Sequence, residues 1–388
     1  MRRRDFLRHS VYATAALACP RTAAAQTDES IRVVVLEGAP RERGRQHGEG
    51  DLAFETKQSP DELIAAFLAD TAFPKAMREW TPGLLEEIEG IAEGAGVKRD
   101  ELFAFNCPDE LIWYTRYRTA GMPLRQDDKC SALGVGPRDG RPTVIAQNMD
   151  IDSGSEGFEV LLHIKNDARE TYLFAIAGMI GIVGMSNAPL GVVNNSLRQL
   201  DTRPDGLSVN AVVRGLLAQP DYEHAVDFIQ RAPHATGHNY VIGGPKTVAS
   251  FECSAHSVER FVSKRFPGCV YHTNHPFVNE DLAMHRTLAE RAPELATDTT
   301  SSHARCSVIE RHLAAADGDI TADTFREILR SRENPELPVC RPHDPHDPGA
   351  TFTAASLIMH LAPCPTLEIA PGPPSETPYK SFELPKQR

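Results

Sequence analysis

Apolar positions along the chain change their period near residue 130. Ahead of it they recur three and four residues apart, as Leu63, Phe67 and Leu68 and then as Leu84, Leu85, Ile88 and Ile91. That spacing gathers apolar side chains on one face of a helix. Ser59-Pro60-Asp61-Glu62 and Thr81-Pro82 have the form of helix starts, and Gly94-Ala95-Gly96 that of a stop. Ile31 to Leu36 reads as a first strand, and Arg41 to Gly50 as a turn running into a helix. Residues 31 to about 118 are therefore expected to be mostly helical.

Beyond residue 130 the apolar runs are short and broken by turn residues. They predict strands at 131–136, 143–150, 158–165, 171–177, 180–186 and 190–195, with joints at Gly178, Gly181 and Gly184. Helices are expected from Leu207 to Ala218 and from Tyr222 to Arg231, then strands at 238–243, 247–253, 258–263 and 269–273. Further helices are expected at 280–292, 303–315 and 322–330, and a last strand pair at 352–361 and 366–370. There is no internal repeat. Many strands followed by runs of helices favour a layered α+β domain over a doubly wound sheet.

The amino terminus stands apart from this pattern. Met1-Arg2-Arg3-Arg4-Asp5-Phe6-Leu7-Arg8, a modest apolar stretch from Val11 to Ala18, and Ala23-Ala24-Ala25 are the parts of a cleavable export signal. The twin arginines point to the twin-arginine route, with cleavage expected after Ala25 in preference to a lipoprotein-type cut at Cys19. The apolar core is well short of the roughly 20 residues that span a bilayer. The expected product is periplasmic or secreted, with no membrane association beyond the signal. A net charge of −12 and the lack of any later Lys/Arg-rich tract argue against a nucleic-acid partner. Seven cysteines follow the signal, an odd number in a compartment that allows disulfides, so at least one is expected to stay unpaired.

Cys130 is the candidate for that free thiol. It opens the run Cys130-Ser131-Ala132-Leu133-Gly134-Val135, which Arg138-Asp139-Gly140-Arg141-Pro142 separates from Val144-Ile145-Ala146 and Gln147-Asn148-Met149-Asp150. Two short strands around Asp-Gly read as a β-hairpin. The hairpin is expected to hold the Cys130 thiol near the Asp150 carboxylate. An internal cysteine serves as a core residue, half a disulfide or a nucleophile. Ser131 beside it, and Asp127-Asp128-Lys129 before it as an exposed, cleavable loop, favour the nucleophile. Were the Lys129–Cys130 bond broken, the new α-amine could serve as its base.

These residues resemble the penicillin acyltransferase family of N-terminal-nucleophile hydrolases, the relatives of acyl-CoA:6-aminopenicillanic acid acyltransferase. Later segments follow the same pattern in order: Gly184 to Leu197, Gly237-His238-Asn239-Tyr240-Val241-Ile242 with Phe251-Glu252-Cys253-Ser254, His272-Thr273-Asn274-His275, Ser301-Ser302 through Arg305, and Ala370-Pro371-Gly372-Pro373-Pro374. The chain departs from the family at Lys129 and Pro189, where Gly is typical. The resemblance implies a four-layer αββα sandwich with antiparallel sheets, made as a precursor and cut between Lys129 and Cys130. The two pieces, about 26–129 and 130–388, would stay together as a heterodimer of one domain. It further implies a Cys130 thioester and a small-molecule or peptide amide as substrate, with no cofactor and no metal. Asn195 and Asn239 match the family's amide positions, Asn239 being favoured for the oxyanion. Asp150 would orient the new amine or the substrate. Arg305 would grip a substrate carboxylate, and Asn148 is assigned to substrate binding with it.

Two other readings stand beside this one. Cys340-Arg341-Pro342-His343-Asp344-Pro345-His346-Asp347, or the His272/His275 pair, could ligate zinc in a metallohydrolase. Alternatively, the chain could be an exported binding protein that kept the fold and lost the chemistry.

Overall fold

A computed structural model of the protein describes residues 31–49, 61–118, 130–166, 169–291, 297–344, 346–347 and 350–387. The export-signal reading, the Ser59-Pro60 helix start and Lys129 lie outside the described residues.

Strand β1 (Arg32–Glu37) is followed by six helices: α1 (Pro40–Glu49), α2 (Asp61–Asp70), α3 (Phe73–Trp80), α4 (Pro82–Ala95), α5 (Arg99–Phe105) and α6 (Pro108–Arg118). The α4 helix carries proline at its start and stops at Gly96, whose φ of 67° only glycine takes without strain. It packs closely on α1 through glycines of both helices. A Cβ at Gly44 would lie 2.0 Å from the Glu87 carbonyl oxygen, and one at Gly90 2.0 Å from that of Arg41.

Six strands follow in sequence: β2 (Ser131–Val135), β3 (Thr143–Asp152), β4 (Glu159–Asn166), β5 (Arg169–Ile176), β6 (Val183–Ser186) and β7 (Leu190–Ser196). Helices α7 (Val209–Leu217) and α8 (Tyr222–Arg231) precede β8 (His238–Gly244), β9 (Thr247–Cys253), β10 (Val258–Phe261) and β11 (Cys269–His272). The chain closes with α9 (Ala283–Arg291), α10 (Thr300–Ala315), α11 (Ala322–Leu329), β12 (Thr351–Leu361), β13 (Thr366–Ala370) and β14 (Lys380–Glu383).

The strands form two sheets, ordered β1-β4-β5-β6-β7-β8-β9-β10 and β11-β2-β3-β12-β13-β14. β1 joins β4 in parallel, and the other paired strands run antiparallel. Three apolar cores fix the layering. Phe67, Met77, Ile88 and Leu102 pack with Leu162, Val192 and Phe251 between the first helices and the larger sheet. Ile145, Met149 and Leu357 meet Phe174, Met185 and Val241 between the sheets. Leu133, Ala146 and Ile358 meet Val308, Phe325 and Ile328 on the far side. The order is helix, sheet, sheet, helix, an α+β fold of four layers.

The helical first segment is built into this sandwich. Glu87 of α4 is buried against Arg214 of α7, at 2.5 and 3.0 Å, and against Arg43 of α1 at 2.9 Å. Asn106 donates to the Gly178 carbonyl and accepts from Ile180 N–H.

Candidate active site

The site begins with the turn between β2 and β3. Asp139 and Gly140 both have positive φ, 51° and 77°, the backbone of a type I′ turn whose twist suits a two-residue hairpin. Arg138 pairs with Arg141 across it. Counting outward keeps the same register to Ser131 opposite Asn148, so Cys130 falls opposite Met149. The Cys130 Sγ lies 3.8 Å from Met149 Sδ and 3.9 Å from the main-chain oxygen of Asp150.

That register corrects the expected thiol–carboxylate contact. Side chains alternate across a strand, so Met149 turns into the gap between the sheets and Asp150 turns away from it. The Asp150 carboxylate accepts from Thr353 Oγ1 at 2.7 Å and lies 3.8 Å from Arg341 Nε. The same alternation corrects Asn148. Its side-chain amide donates to the carbonyls of Leu329 and Val339, at 2.8 and 3.0 Å, on the outer helical side of the sheet. It holds α11 in place and does not face the gap where Cys130 lies.

Two side chains converge on the main-chain carbonyl of Cys130. Arg305, fully buried on α10, donates from Nη1 at 2.6 Å, and Asn195, at the end of β7, donates from Nδ2 at 3.1 Å. Arg305 was assigned to a substrate carboxylate. The structure commits its guanidinium to the protein itself: the Cys130 carbonyl, Ser131 Oγ at 3.0 Å and Asn274 Oδ1 at 2.9 Å. Asn239 stands behind Asn195, its register partner on β8, and donates to Asn195 Oδ1 at 3.1 Å. Ser250 Oγ in turn donates to Asn239 Oδ1 at 2.6 Å. This chain is built of neutral groups. Next to it, Gln147 spans the two sheets by donating to the Asn194 carbonyl and accepting from Asn194 N–H.

His272 and His275 take different partners. His272 is buried with Nε2 2.8 Å from Glu252 Oε1 and Nδ1 2.7 Å from the Thr273 carbonyl. Both ring nitrogens of His272 face oxygens. Glu252 also accepts N–H bonds from Phe277, Val278 and Asn279, at 2.6, 3.1 and 2.7 Å. Burial pushes its carboxyl up, but His272 and those N–H groups outweigh burial and hold it below the ordinary carboxylate range. His275 turns to Ser302 Oγ at 2.7 Å. Burial, with His303, His272 and Arg305 nearby, lowers its pKa to about 3.

The other candidate ligands are also separated. Cys340 donates to Ser375 Oγ, whereas His343 faces Glu156. Pro345 lies outside the described residues. A grouping of metal-competent side chains sits elsewhere, at Asp201, His256 and Asp281, where His256 bonds Asp281 and Asp201 accepts from Met284 N–H. All seven cysteines from Cys107 to Cys364 are free thiols.

On the outer face of the larger sheet, one residue beyond Asn195 and Asn239, lies a second buried polar cluster. Asp109 of α6 accepts from Ser196 Oγ at 3.0 Å and Arg198 at 3.1 Å, and pairs with His238 Nε2 at 2.8 Å. Burial opposes both charges of that pair, but their attraction wins: Asp109 is held well below the ordinary range and His238 above it. Glu110 accepts from Val209 N–H and Thr236 Oγ1, and burial, then Asp109, raise its pKa to about 7. A cavity of about 30 Å³ adjoins the cluster, with Ile112, Trp113, Leu200 and Leu288 in its wall.

The Cys130 side chain thus lies between the two sheets, with a neutral amide chain and a guanidinium on its own carbonyl. The sequence profile of the acyl-coenzyme A:6-aminopenicillanic acid acyl-transferase family matches residues 137–364. The chain belongs to this family. Asp150, Asn195, Asn239, Glu252 and Arg305 fall inside the match, and Cys130 stands just ahead of it. The acyl-coenzyme A:6-aminopenicillanic-acid-acyltransferase 40 kDa form of Emericella nidulans is 25% identical over 366 residues, covering 90% of this chain and 96% of that protein. A penicillin V acylase from Agrobacterium tumefaciens is 15% identical with a TM-score of 0.41, covering 66% of this chain and 86% of that one. Membership makes the protein an acyltransferase or acylase of the N-terminal-nucleophile class.

Glu252 and Asn274 both fall in family-like segments, yet sequence reasoning gave neither a role. The missed signal for Glu252 is an acid at an inward position of the strand Thr-Val-Ala-Ser-Phe-Glu-Cys, because a buried charge needs a partner.

Proposed function

We propose that this protein cuts its own chain before Cys130 and then acts on amides through a Cys130 thioester, as an amidase or acyl-transferring enzyme. The observation that carries the reading is the double hold on the Cys130 carbonyl by Asn195 at 3.1 Å and Arg305 at 2.6 Å. That carbonyl is the one main-chain group that keeps its place relative to the thiol once the bond before Cys130 is broken. Fixing it aims both the thiol and the new amine.

In maturation, the Cys130 Sγ attacks the Lys129 carbonyl carbon as its proton leaves for the departing nitrogen. The Lys129–Cys130 C–N bond breaks and leaves a thioester on Sγ and a free α-amine on Cys130. Water hydrolyses the thioester, giving a Lys129 carboxylate and a free thiol. The amine, with a reference pKa of about 8, then takes the thiol proton when a substrate amide arrives. The thiolate is the attacking species. Sγ bonds to the substrate carbonyl carbon, the ammonium returns the proton to the leaving amine, and the acyl group stays on Cys130. Water releases it as an acid, or a second amine accepts it as a new amide.

Asn239 spends one side-chain N–H on Asn195, and its other is the donor we assign to the oxyanion, where a neutral amide stabilises charge that is absent in the ground state. Asp150 acts through its main-chain oxygen, which faces Sγ. The name of the Emericella nidulans relative describes acyl transfer from a coenzyme A thioester, chemistry that passes through the same acyl-cysteine. The Arg-rich start and short apolar stretch further support export to the periplasm or beyond.

The reading is tested by rapid acid quench of the matured protein with penicillin V or an N-acyl amino acid, followed by peptide mapping. The acyl group is expected on the peptide that begins with Cys130. Full turnover of the same amides by a Cys130→Ala protein would overturn it.

A further inference from the structure

We propose that Glu252 is a positioning residue for the nucleophile, fixing the 273–279 loop so that Asn274 holds Arg305 on the Cys130 carbonyl. This inference rests on the Cys130 reading above and adds to it the element that sets its geometry.

Glu252 lies on the inner face of β9, opposite Asn239. Its carboxylate takes four donors, each from the segment that leaves β11: His272 Nε2 and the N–H groups of Phe277, Val278 and Asn279, at 2.8, 2.6, 3.1 and 2.7 Å. Its main-chain carbonyl accepts a fifth bond, from Asn279 Nδ2 at 3.0 Å. Both ends of the loop are therefore tied to one residue of the opposite sheet. Between those ends sits Asn274, whose Oδ1 accepts from Arg305 at 2.9 Å and whose side-chain amide donates to the Ser196 carbonyl at 3.1 Å. The same His272 offers its main-chain oxygen to Asn195 Nδ2 at 3.5 Å. Both groups that hold the Cys130 carbonyl thus lean on a segment that Glu252 anchors.

Only a carboxylate satisfies this arrangement, because all four partners are donors and an ionised carboxylate is acceptor-only. A glutamine would turn its NH₂ toward one pair of them. The loop would shift by a fraction of an ångström, and Arg305 with it.

The test compares wild type, Glu252→Gln, Asn274→Ala and the double variant, reading the self-cleavage rate by intact mass and kcat and KM on penicillin V. Glu252→Gln is expected to slow both cleavage and kcat by about tenfold to a hundredfold with KM nearly unchanged. In the Asn274→Ala background it should add no more than about threefold, because the two act on one element. A purely structural residue would lower the yield and melting temperature while leaving the rate per folded molecule intact. Unchanged rates in Glu252→Gln, or losses that multiply in the double variant, overturn the positioning role. Should Glu252→Gln not fold, His272→Leu removes one of the four donors and carries the same expectation at smaller size. A wild-type chain that neither cleaves nor turns over an amide refutes the Cys130 reading itself.

Discussion

The ends of β7 and β8 carry two buried polar clusters on opposite faces of one sheet, one residue apart. Inward, Asn195 and Asn239 form a neutral amide chain that ends on the Cys130 carbonyl. Outward, Ser196 and His238 join Arg198 around the charged Asp109. On the proposed reading, the inner amides stand where charge would develop only during reaction. The outer cluster uses full charges to tie α6 to the larger sheet. The inner face brings neutral amides, with Arg305 beside them, to the Cys130 carbonyl, whereas the outer face sets Asp109 against Arg198 and His238.

Mutations on the two faces should therefore fail in different ways. The largest effect is expected from Cys130→Ala, which should abolish both cleavage and turnover while the protein stays folded, as near-ultraviolet circular dichroism would check. Asn195→Ala comes next, with a loss of about 10²–10³ in the cleavage rate and kcat but a modest change in melting temperature. Asp109→Ala should show the reverse. Leaving His238 and Arg198 buried without their anion should cost about 3–5 kcal/mol in denaturant unfolding, with the rate per folded molecule largely kept. An Asp109 variant of full stability and no activity would erase the distinction between the faces.

Glu110 offers a finer probe. Its folded pKa, raised to about 7 from an ordinary 4.5, means that the protein holds it protonated. Its contribution is complete below pH 4.5 and is lost as pH rises through 7. Glu110→Gln should remove that loss, on the order of 3 kcal/mol, and flatten stability between those values. His47 and His234, both lowered to about 4 by burial, work the other way: their contribution is present above 6.5 and is lost as pH falls through 4. The difference between variant and wild-type pH profiles isolates Glu110 from them.

Much of this fold was legible because its signals are local. The Asp-Gly turn, the alternating runs on either side and the helix starts at Thr81 and Tyr222 all act within a few residues of themselves. β14 was missed because Lys380 to Glu383 is a short edge strand with little buried surface to mark it. At the site, Cys130, Asn195 and Asn239 could be placed together from motif order. The face of each side chain was misjudged at Asp150 and Asn148, although the two-residue turn fixes a register that sets Cys130 against Met149. Arg305 and Glu252 were harder. Their partners lie 175 residues away at Cys130 and 25 to 27 residues away at Phe277 and Asn279, and no local pattern records such distances.

The hold on the Cys130 carbonyl matters only if the bond before it breaks. Intact mass of the folded, purified protein, with amino-terminal sequencing of its larger fragment, tests that most directly. The expected result is two associated fragments, the larger beginning Cys-Ser-Ala-Leu, and a single uncut chain for Cys130→Ala. A folded wild-type chain that remains whole, or one cut at another bond with full activity, would contradict it.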